Sequence, residues 1–391
     1  MPLNEFFADL HIHIGRDQEN NPVKISASHT LTLKNIIHEA GKRKGIDLIG
    51  IIDCHSPNVL TEIEQCVIQA DAVQLQTGGI RFGRVTLLLG SEIELYDTTC
   101  QGPIHVLCFI PTLENMRYFS NWLKMKMTNI SLSSQRFYGT AKELQQKVKE
   151  LDGLFIPAHV FTPFKSLYGK GVNCSLEEVL DPTMIDAIEL GLSADTDMAD
   201  QIAELHSYTY VTNSDSHSLG KIAREYQKVT LREPSFVEFT AALYEKDGRK
   251  IAANYGMNPK LGKYYSTVCR ACSNQVGAKD MICSHCNSKA IVRGVFDRIQ
   301  QLKTATTKRT RPPYIYQVPL DYIPGLGPKT LEKLLDAFQT EMNIIHFATE
   351  KQLLQVVNEK IAKAILAMRT GKQHIQAGGG GTYGRVTFDH K

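Results

Sequence analysis

The sequence predicts an α/β domain, followed by a small cysteine-bound module and a helical C-terminal domain. Three observations predict it. Short apolar, strand-like runs alternate with helical stretches from residue 8 to residue 217. Two C-x-x-C pairs follow, and after them a glycine-rich turn sits between two helical patterns.

ADLHIHI (8–14) opens the α/β region as a strand. Period two places Ala8, Leu10, Ile12 and Ile14 on one face and Asp9, His11 and His13 on the other. LTLKNIIHEAGKRK (31–44) reads as a helix capped by Gly45. IDLIGIID (46–53) is a continuous apolar run, as in a buried parallel strand, and ends at Asp53 with His55 just beyond. Residues 59–76 read as a helix. RVTLLLGSEIEL (84–95) is a strand carrying Glu92 and Glu94, and PIHVLCFIP (103–111) a strand with His105 near its start. Residues 140–152 are helical, and GLFIPAHVF (153–161) is a strand leading to His159. IDAIELG (185–191) is a strand, 195–207 a helix, and YTYVTNSDSH (208–217) a strand ending at Asp215 and His217. This alternation predicts a mostly parallel sheet and is compatible with a barrel.

The 391 residues exceed one ordinary core and imply two or three domains. With 42% hydrophobic and 22% charged residues, the composition is that of a soluble globular chain. The opening MPLNEFFADLH lacks the basic and apolar regions of a secretory signal, and no apolar run reaches the roughly 18 residues of a membrane helix. A cytoplasmic location is therefore expected. Nine cysteines, four of them clustered and five scattered, argue for a reducing compartment rather than a disulfide framework. The net charge of +3 conceals a split. Residues 1–262 carry 25 Lys/Arg against 32 Asp/Glu, and residues 263–391 carry 19 against 9. A basic second part points to a polyanionic partner.

The ligand-type side chains carry the chemistry. His11, His13, Asp53, His55, Glu92, His105, His159, Asp215 and His217 all lie at or beside predicted strands, several at the C-terminal ends where α/β folds build their sites. Zinc takes His and carboxylate together, whereas Mg and Mn prefer carboxylates. So many N/O ligands exceed one tetrahedral site and predict two or three divalent ions (Zn, Mg or Mn). Such ions generate hydroxide at neutral pH and clamp a phosphate through in-line displacement. Cys54, between Asp53 and His55, reads as a small buried residue.

HxH near the N-terminus, a D-x-H after the second strand, an isolated Glu, two isolated His and a late D-x-H resemble the PHP (polymerase and histidinol phosphatase) family over about residues 8–231. The resemblance implies a distorted (β/α)7 barrel, a trinuclear metal site and phosphoesterase activity. It carries the ligand role to His11, His13, Glu92, His105, His159, Asp215 and His217. Of these, Glu92, His159, Asp215 and His217 are the candidate catalytic residues. Asp17 stands where a further family ligand follows HxH. Asp53-Cys54-His55 replaces the family's Thr-Asp-His, which leaves the role of His55 open. Glu94, one pleat from Glu92, reads as a supporting or surface residue.

In the second part, Cys269, Cys272, Cys283 and Cys286 form C-x2-C-x10-C-x2-C, the spacing of a closed structural zinc site. A basic stretch with Lys308, Arg309 and Arg311 then leads into Pro312-Pro313-Tyr314 and suits phosphate tracking. VPLDYIPGLGPKTLEKLLDAF (318–338) resembles a helix-hairpin-helix module, in which Gly325 and Gly327 open the backbone to a phosphate and Lys329 adds charge. Helices near 350–356 and 358–370 would pack behind it. A tail with four glycines, Gly378 to Gly381, closes the chain.

ADLHIH, PAHVFTPF, IELGLSAD, TNSDSHS, the paired C-x-x-C motifs and RPPY, in this order, are similar to the endonuclease Q family over nearly the full length. That resemblance implies a repair endonuclease nicking 5′ to deaminated bases and at abasic sites. The expected partner is damaged DNA with a flipped lesion base. Phe161, Phe164, Tyr168 and Lys170 are candidates for stacking and wedging, and Ser193 for contacts to the base edge. A PHP-type 3′-exonuclease or other phosphoesterase, or a non-catalytic DNA-binding adaptor, stays open as an alternative. A sliding clamp is left open as a partner, and a monomer is expected. The expected units are a 1–232 catalytic barrel, a 233–262 connecting segment, a 263–300 zinc module, a 301–318 basic linker, a 319–371 DNA-binding domain and a 372–391 tail.

Overall fold

The computed structural model describes residues 2–262 and 264–371, and the backbone of His374–Gln376 and Arg385–Thr387, which pair antiparallel. The expected glycine run 378–381 lies outside the described residues.

The main sheet contains β1 (Asn4–Ile12), β2 (Leu48–Ile51), β3 (Val73–Gln74), β4 (Ile80–Phe82), β5 (Val85–Leu95), β6 (Ile104–Ile110), β7 (Arg136–Phe137) and β8 (Leu154–Pro157). β9 (Ala187–Glu189) and β10 (Thr209–Val211) form a parallel pair beside it. Helices α1 (Leu33–His38), α2 (Pro57–Ile68), α3 (Leu113–Lys124), α4 (Ala141–Glu150) and α5 (Thr196–Ala199) fall between the strands.

β1, β2 and β5 pair parallel, as the apolar runs predict. β6 is antiparallel to both β5 and β8, so the sheet is mixed rather than mostly parallel. The link between β5 and β6 is too short for a crossover, so the chain can only fold straight back. Backbone hydrogen bonds then carry the pairing onward. Asp186 N donates to Phe155 O and Val160 N to Glu189 O, which joins β8 to β9. Ser216 N donates to His11 O and His13 N to Ser216 O, which joins the end of β10 back to β1. The strands thus run full circle through β1, β2, β5, β6, β8, β9 and β10.

Two apolar cores result. One lies inside the circle and draws Ala8, Leu10, Leu48, Leu88, Leu107, Phe109 and Ile156 from successive strands. The other lies outside, beneath the helices, and includes Ile12, Ile14, Ile36, Leu60 and Phe119. Ala8 and Leu10 therefore do not share a face with Ile12 and Ile14, as strict alternation predicts. Between Asp9 and Ile12 the register with β2 slips, because β1 spends three residues where β2 spends two. This β-bulge inverts the alternation. It leaves His11 and His13 above the inner core while Ile12 and Ile14 face the helices. The buried Asp9 carboxylate fixes the bulge by accepting from Ser214 N at 3.0 Å and Ala223 N at 2.9 Å, with a longer bond from His11 N at 3.4 Å.

Two expected connectors are part of the sheet. Residues 233–262 hold α6 (Phe236–Leu243) and β12 (Lys250–Gly256), and β12 pairs antiparallel with β11 (Tyr226–Leu231). The 301–318 stretch includes β15 (Tyr314–Tyr316), parallel to β12. Between them, β13 (Val268–Cys269) and β14 (Ile291–Val292) pair antiparallel around the cysteines, and α7 (Val295–Leu302) follows.

The C-terminal α8 (Pro328–Phe338), α9 (Glu350–Leu354) and α10 (Glu359–Arg369) match the expected helices. The helix expected before the glycine turn is a single 3-10 turn, Leu320–Tyr322, bracketed by Pro319 and Pro324. This unit is anchored to the α/β domain by a buried ion pair at 2.8 Å between Glu341 and Lys44, which ends the helical stretch before β2. The His346 ring stacks on Phe7 at 4.7 Å, with Nε2 2.7 Å from the Tyr226 hydroxyl. Among the described residues no helix is long and apolar enough to cross a membrane.

Burial pushes the His346 imidazole down to about 3. An unfolded chain protonates this ring near pH 6.5, so the unfolded state binds the extra proton between those values. The stabilisation from the neutral ring is complete above about pH 6.5 and is lost as pH falls, at up to about 1.4 kcal/mol per unit. Urea unfolding from pH 7 to pH 4.5 should show this slope in the wild type, and His346→Phe should flatten it. Equal slopes for the two proteins would remove His346 from the account.

Candidate metal centre

The bulged end of β1 places His11 and His13 at the middle of one rim of the circle. Glu92 reaches the same point from β5. His105 lies at the start of β6, and because that strand runs backwards its start is on this rim too. His159 follows β8, and Asp215 and His217 follow β10. Three groups of donor atoms result, each within 4.8 Å: His11, His13 and Glu92; His13, Asp215 and His217; and Glu92, His105 and His159. Glu92 and His13 each belong to two groups.

The rings are held for coordination. His11 Nδ1 lies 3.0 Å from Glu189 Oε1, and His13 Nδ1 lies 3.2 Å from Asp53 Oδ2 and 3.1 Å from the Ser133 hydroxyl. Carboxylates on Nδ1 favour a proton there and leave the Nε2 lone pair facing the centre. Among the described residues the buried Nε2 atoms of His11, His13 and His105 make no hydrogen bond and face carboxylate oxygens only at 3.5–3.7 Å. A buried imidazole nitrogen without a partner is costly unless a cation or water meets it. The donor set of imidazole and carboxylate suits divalent metals. His159 and Asp215 also take positive φ, 31° and 44°, a strained conformation held by the surrounding structure.

Charge in the cluster is strongly coupled. Burial alone would raise the Glu92 carboxyl, but His105 and Lys24 outweigh it and hold Glu92 well below the usual range. Asp215 is held low by His11 and a hydrogen bond from His217, again against burial. Burial would lower His11, yet Glu189 and Asp215 push it well above its usual value. These pairs mark protons that a divalent ion would replace, so binding would release protons. Lys24 Nζ lies 3.0 Å from Glu92 Oε2 and 2.6 Å from the Ser134 hydroxyl, a cation at the edge of the centre.

Not every expected ligand joins the groups. Asp17 accepts from Asn58 and Asn21 side chains and caps its own turn. Asp53 orients His13 and accepts from Ile14 N at 2.7 Å. His55 is fully buried but enters no group among the described residues. Glu94 pairs with Lys165 at 2.8 Å and lies 3.7 Å from His105 Nε2. The reading missed Glu189, Ser133, Ser134 and Lys24. Glu189 had a signal, a lone acid at the end of the IELG strand. The others come from loops whose return to the centre no local pattern reveals.

A cleft of about 680 Å³ opens beside the centre, lined by His159, Glu189, Ser193, Asn213, Asp215 and Tyr322 among others. The Asn213 amide is committed, donating to Glu189 and accepting from Leu10 N. Other candidate DNA contacts divide. Phe161 and Tyr168 are buried and stack on each other at 5.5 Å, so neither is a free stacking surface. They turn inward because the loop after β8 packs back onto the outer core. Phe164 is 44% exposed and meets Tyr264 edge-on, and Lys170 is exposed. Arg311 is consumed internally. It pairs with Asp200 at 2.9 Å and lies 3.7 Å over the Tyr210 ring. Arg309 bonds the His206 carbonyl, while Lys308 is exposed beside Asp197. Gly325 takes φ 86° and Gly327 caps α8; a Cβ on either would meet nothing within 4 Å. Lys329 is exposed next to them.

Away from the centre, the Cys269, Cys272, Cys283 and Cys286 thiols lie within 4.8 Å of one another as free cysteines. Cys269 and Cys283, with Val276, make up the small buried cluster there. A core this small needs a bound ion to hold it.

No family model matches the sequence. The chain is 53% identical to the uncharacterized protein YqxK of Bacillus subtilis, over 98% of this chain and 100% of that one. It is similar to the crystal structure of the novel lesion-specific endonuclease PfuEndoQ from Pyrococcus furiosus, with a TM-score of 0.85 and 32% identity over 98% of this chain and 95% of that chain. It is equally similar to endonuclease Q in complex with a 27-mer duplex substrate carrying an abasic lesion at the active site. That match has a TM-score of 0.84 and 32% identity, over 99% of this chain and 97% of that chain.

If Glu189 sets the tautomer of His11, Glu189→Gln should weaken metal binding about 10- to 100-fold in a competitive chelator titration. Unchanged affinity would exclude that role. Metal analysis of purified protein should find two or three ions beyond the one held by cysteine, and Cys272→Ser should lose that one alone.

Proposed function

The chain belongs to the endonuclease Q family, and on that premise we propose that it is a DNA-repair endonuclease. It hydrolyses the phosphodiester 5′ to a deaminated base (uracil, hypoxanthine or xanthine) or an abasic site, leaving a 3′-hydroxyl and a 5′-phosphate. What supports it best is the juxtaposition of buried imidazole nitrogens that make no hydrogen bond, the carboxylates around them and an adjoining cleft of about 680 Å³. On this reading the circle of strands is the distorted (β/α)7 barrel of the PHP family.

His11, His13, Glu92, His105, His159, Asp215 and His217 would hold two or three divalent ions. Bound there, such ions lower the pKa of a water and neutralise charge on the attacked phosphodiester. The remaining work belongs to the chain. Glu189 and Asp53 keep the His11 and His13 rings from turning. Lys24 supplies a fixed positive charge where the scissile phosphate approaches. The cleft receives the extruded nucleotide, whose damaged pair costs less to open. The Ser193 hydroxyl lines the cleft and is available to a base edge, while Asn213, already committed, forms a rigid wall. The turn at Gly325–Gly327 presents open backbone and Lys329 to a phosphate, as in a helix-hairpin-helix, and the four cysteines hold one structural zinc.

A labelled-strand assay on duplexes with one uracil, hypoxanthine or abasic site tests the reading. One metal-dependent cut immediately 5′ to the lesion is expected, absent from undamaged duplex and abolished by chelator. Asp215→Ala should lower the rate at least about a hundredfold. Shortening of undamaged DNA from its 3′ end would instead indicate an exonuclease, and binding without cleavage under every metal an adaptor.

A further inference from the structure

β5 runs on past the metal centre, and what it carries there has no part in the site described so far. Glu92 and Glu94 lie one pleat apart on one face, and Tyr96 follows just past the end of the strand. β7 pairs parallel with β5, with Arg136 opposite Glu94. Arg136 and Tyr138 share a face, and between them Phe137 is buried beside Leu95 on the opposite one. The Arg136 guanidinium lies 4.8 Å from the centroid of the Tyr96 ring and 5.3 Å from that of Tyr138. It also donates to the Tyr96 carbonyl at 2.5 Å. Tyr96 is 38% and Tyr138 58% exposed, and Arg136 is exposed.

The ladder is tied to the centre through its own segment. Ser133 meets His13 at 3.1 Å, and Ser134 bonds both Lys24 and Glu92. Two residues later the same chain delivers Arg136. Two residues of chain reach at most roughly 7 Å, so the ladder starts within about two stacked base steps of Ser134. Among the described residues no carboxylate pairs with Arg136, so its charge is available to a phosphate. The cleft beside Asp215 lies at the ends of β8, β9 and β10, across the circle from β5.

We propose that Tyr96, Arg136 and Tyr138 form a stacking platform for the cut strand on the 5′ side of the scissile phosphate, taking one or two of its bases on the tyrosine rings and a phosphate on Arg136. The assignment rests on the endonuclease reading. If the lesion nucleotide enters the cleft and the phosphate lies over the ligands, the strand leaves toward β5. An aromatic ladder threaded by arginine suits that strand because every base has a π-face and every nucleotide a charge. It reads no sequence, which fits an enzyme that must accept any neighbour of the lesion.

The test uses the full-length protein and an abasic-site duplex with 4-thiothymidine placed one, two or three nucleotides 5′ or 3′ to the lesion, irradiated in the presence of chelator so that no cleavage occurs. Cross-links to Tyr96 or Tyr138 from the first two 5′ positions, located by peptide mass spectrometry, are expected, and cross-links confined to other residues overturn the proposal. Kinetics give a second readout. Tyr96→Leu/Tyr138→Leu should lower kcat/KM roughly ten- to hundredfold on a substrate with a long 5′ arm, and Tyr→Phe at both positions should restore it. Trimming that arm to a single nucleotide, which keeps the scissile diester, should cost the wild type most of that factor and the leucine variant almost nothing. Equal losses in both proteins overturn the platform. A wild type that cuts no lesion substrate refutes the endonuclease reading instead, and the cross-linking still reports on the ladder.

Discussion

The Asp9 carboxylate, sealed from water beneath the metal-binding rim, is the constraint on which the rest of the centre depends. It accepts from the backbone of Ser214 and Ala223 across the fold and from His11 on its own strand. One side chain thus pins the bulge in β1 and the loop that carries Asp215. Without the bulge, the alternation that buries Ala8 and Leu10 inside the circle would send His11 and His13 outward, beneath the helices. Burial raises this carboxyl, and the backbone amides partly offset that cost. It is one of the few buried acids near the rim that orient the chain rather than a ligand.

Around that fixed point the ligands are arranged by reversal as much as by repetition. In a uniformly parallel sheet the start of a strand lies far from the ends of its neighbours. Because β6 runs backwards, His105 at its first turn faces Glu92 on β5 at 2.8 Å. The strained backbone at His159 and Asp215 serves the same end from the other side. Both loops bend sharply inward after their strands, and they are held there by His159 N donating to the Glu189 carboxylate and by Arg224 donating to the Asp215 carbonyl. Orienting groups, not ligands, take up much of the buried polarity: Glu189 on His11 and Asp53 on His13.

The basic second part, residues 263–391, folds less as a free DNA-binding arm than its charge suggests. Arg311 and Arg298 are spent on carbonyls and a carboxylate that fasten the module to the α/β domain. Arg43, Lys44, Glu332 and Glu341 do the same for the helical unit. Charge that might have tracked phosphate instead fixes one domain against another. This places Tyr322 in the wall of the cleft.

The sequence by itself determined the α/β character, the succession of strands and the ligand types on them. It also determined the cysteine spacing, because each of these rests on local period or spacing: two residues per pleat, or four thiols gathered by short loops. His11, His13, Asp53, His55, Glu92, His105, His159, Asp215 and His217 were legible as ligand-type side chains for that reason. Only the tertiary structure decided which potential ligands converge, since convergence depends on strand direction and register. Asp17 and His55 have the right chemistry and stand near the right strands, yet they lie outside the groups. Aromatic and cationic side chains were least legible. Phe161, Tyr168 and Arg311 pack or pair internally, while Tyr96, Arg136 and Tyr138, unremarkable in sequence, meet across β5 and β7. A ring or a guanidinium is equally at home in a core or on a surface, and only its neighbours determine which.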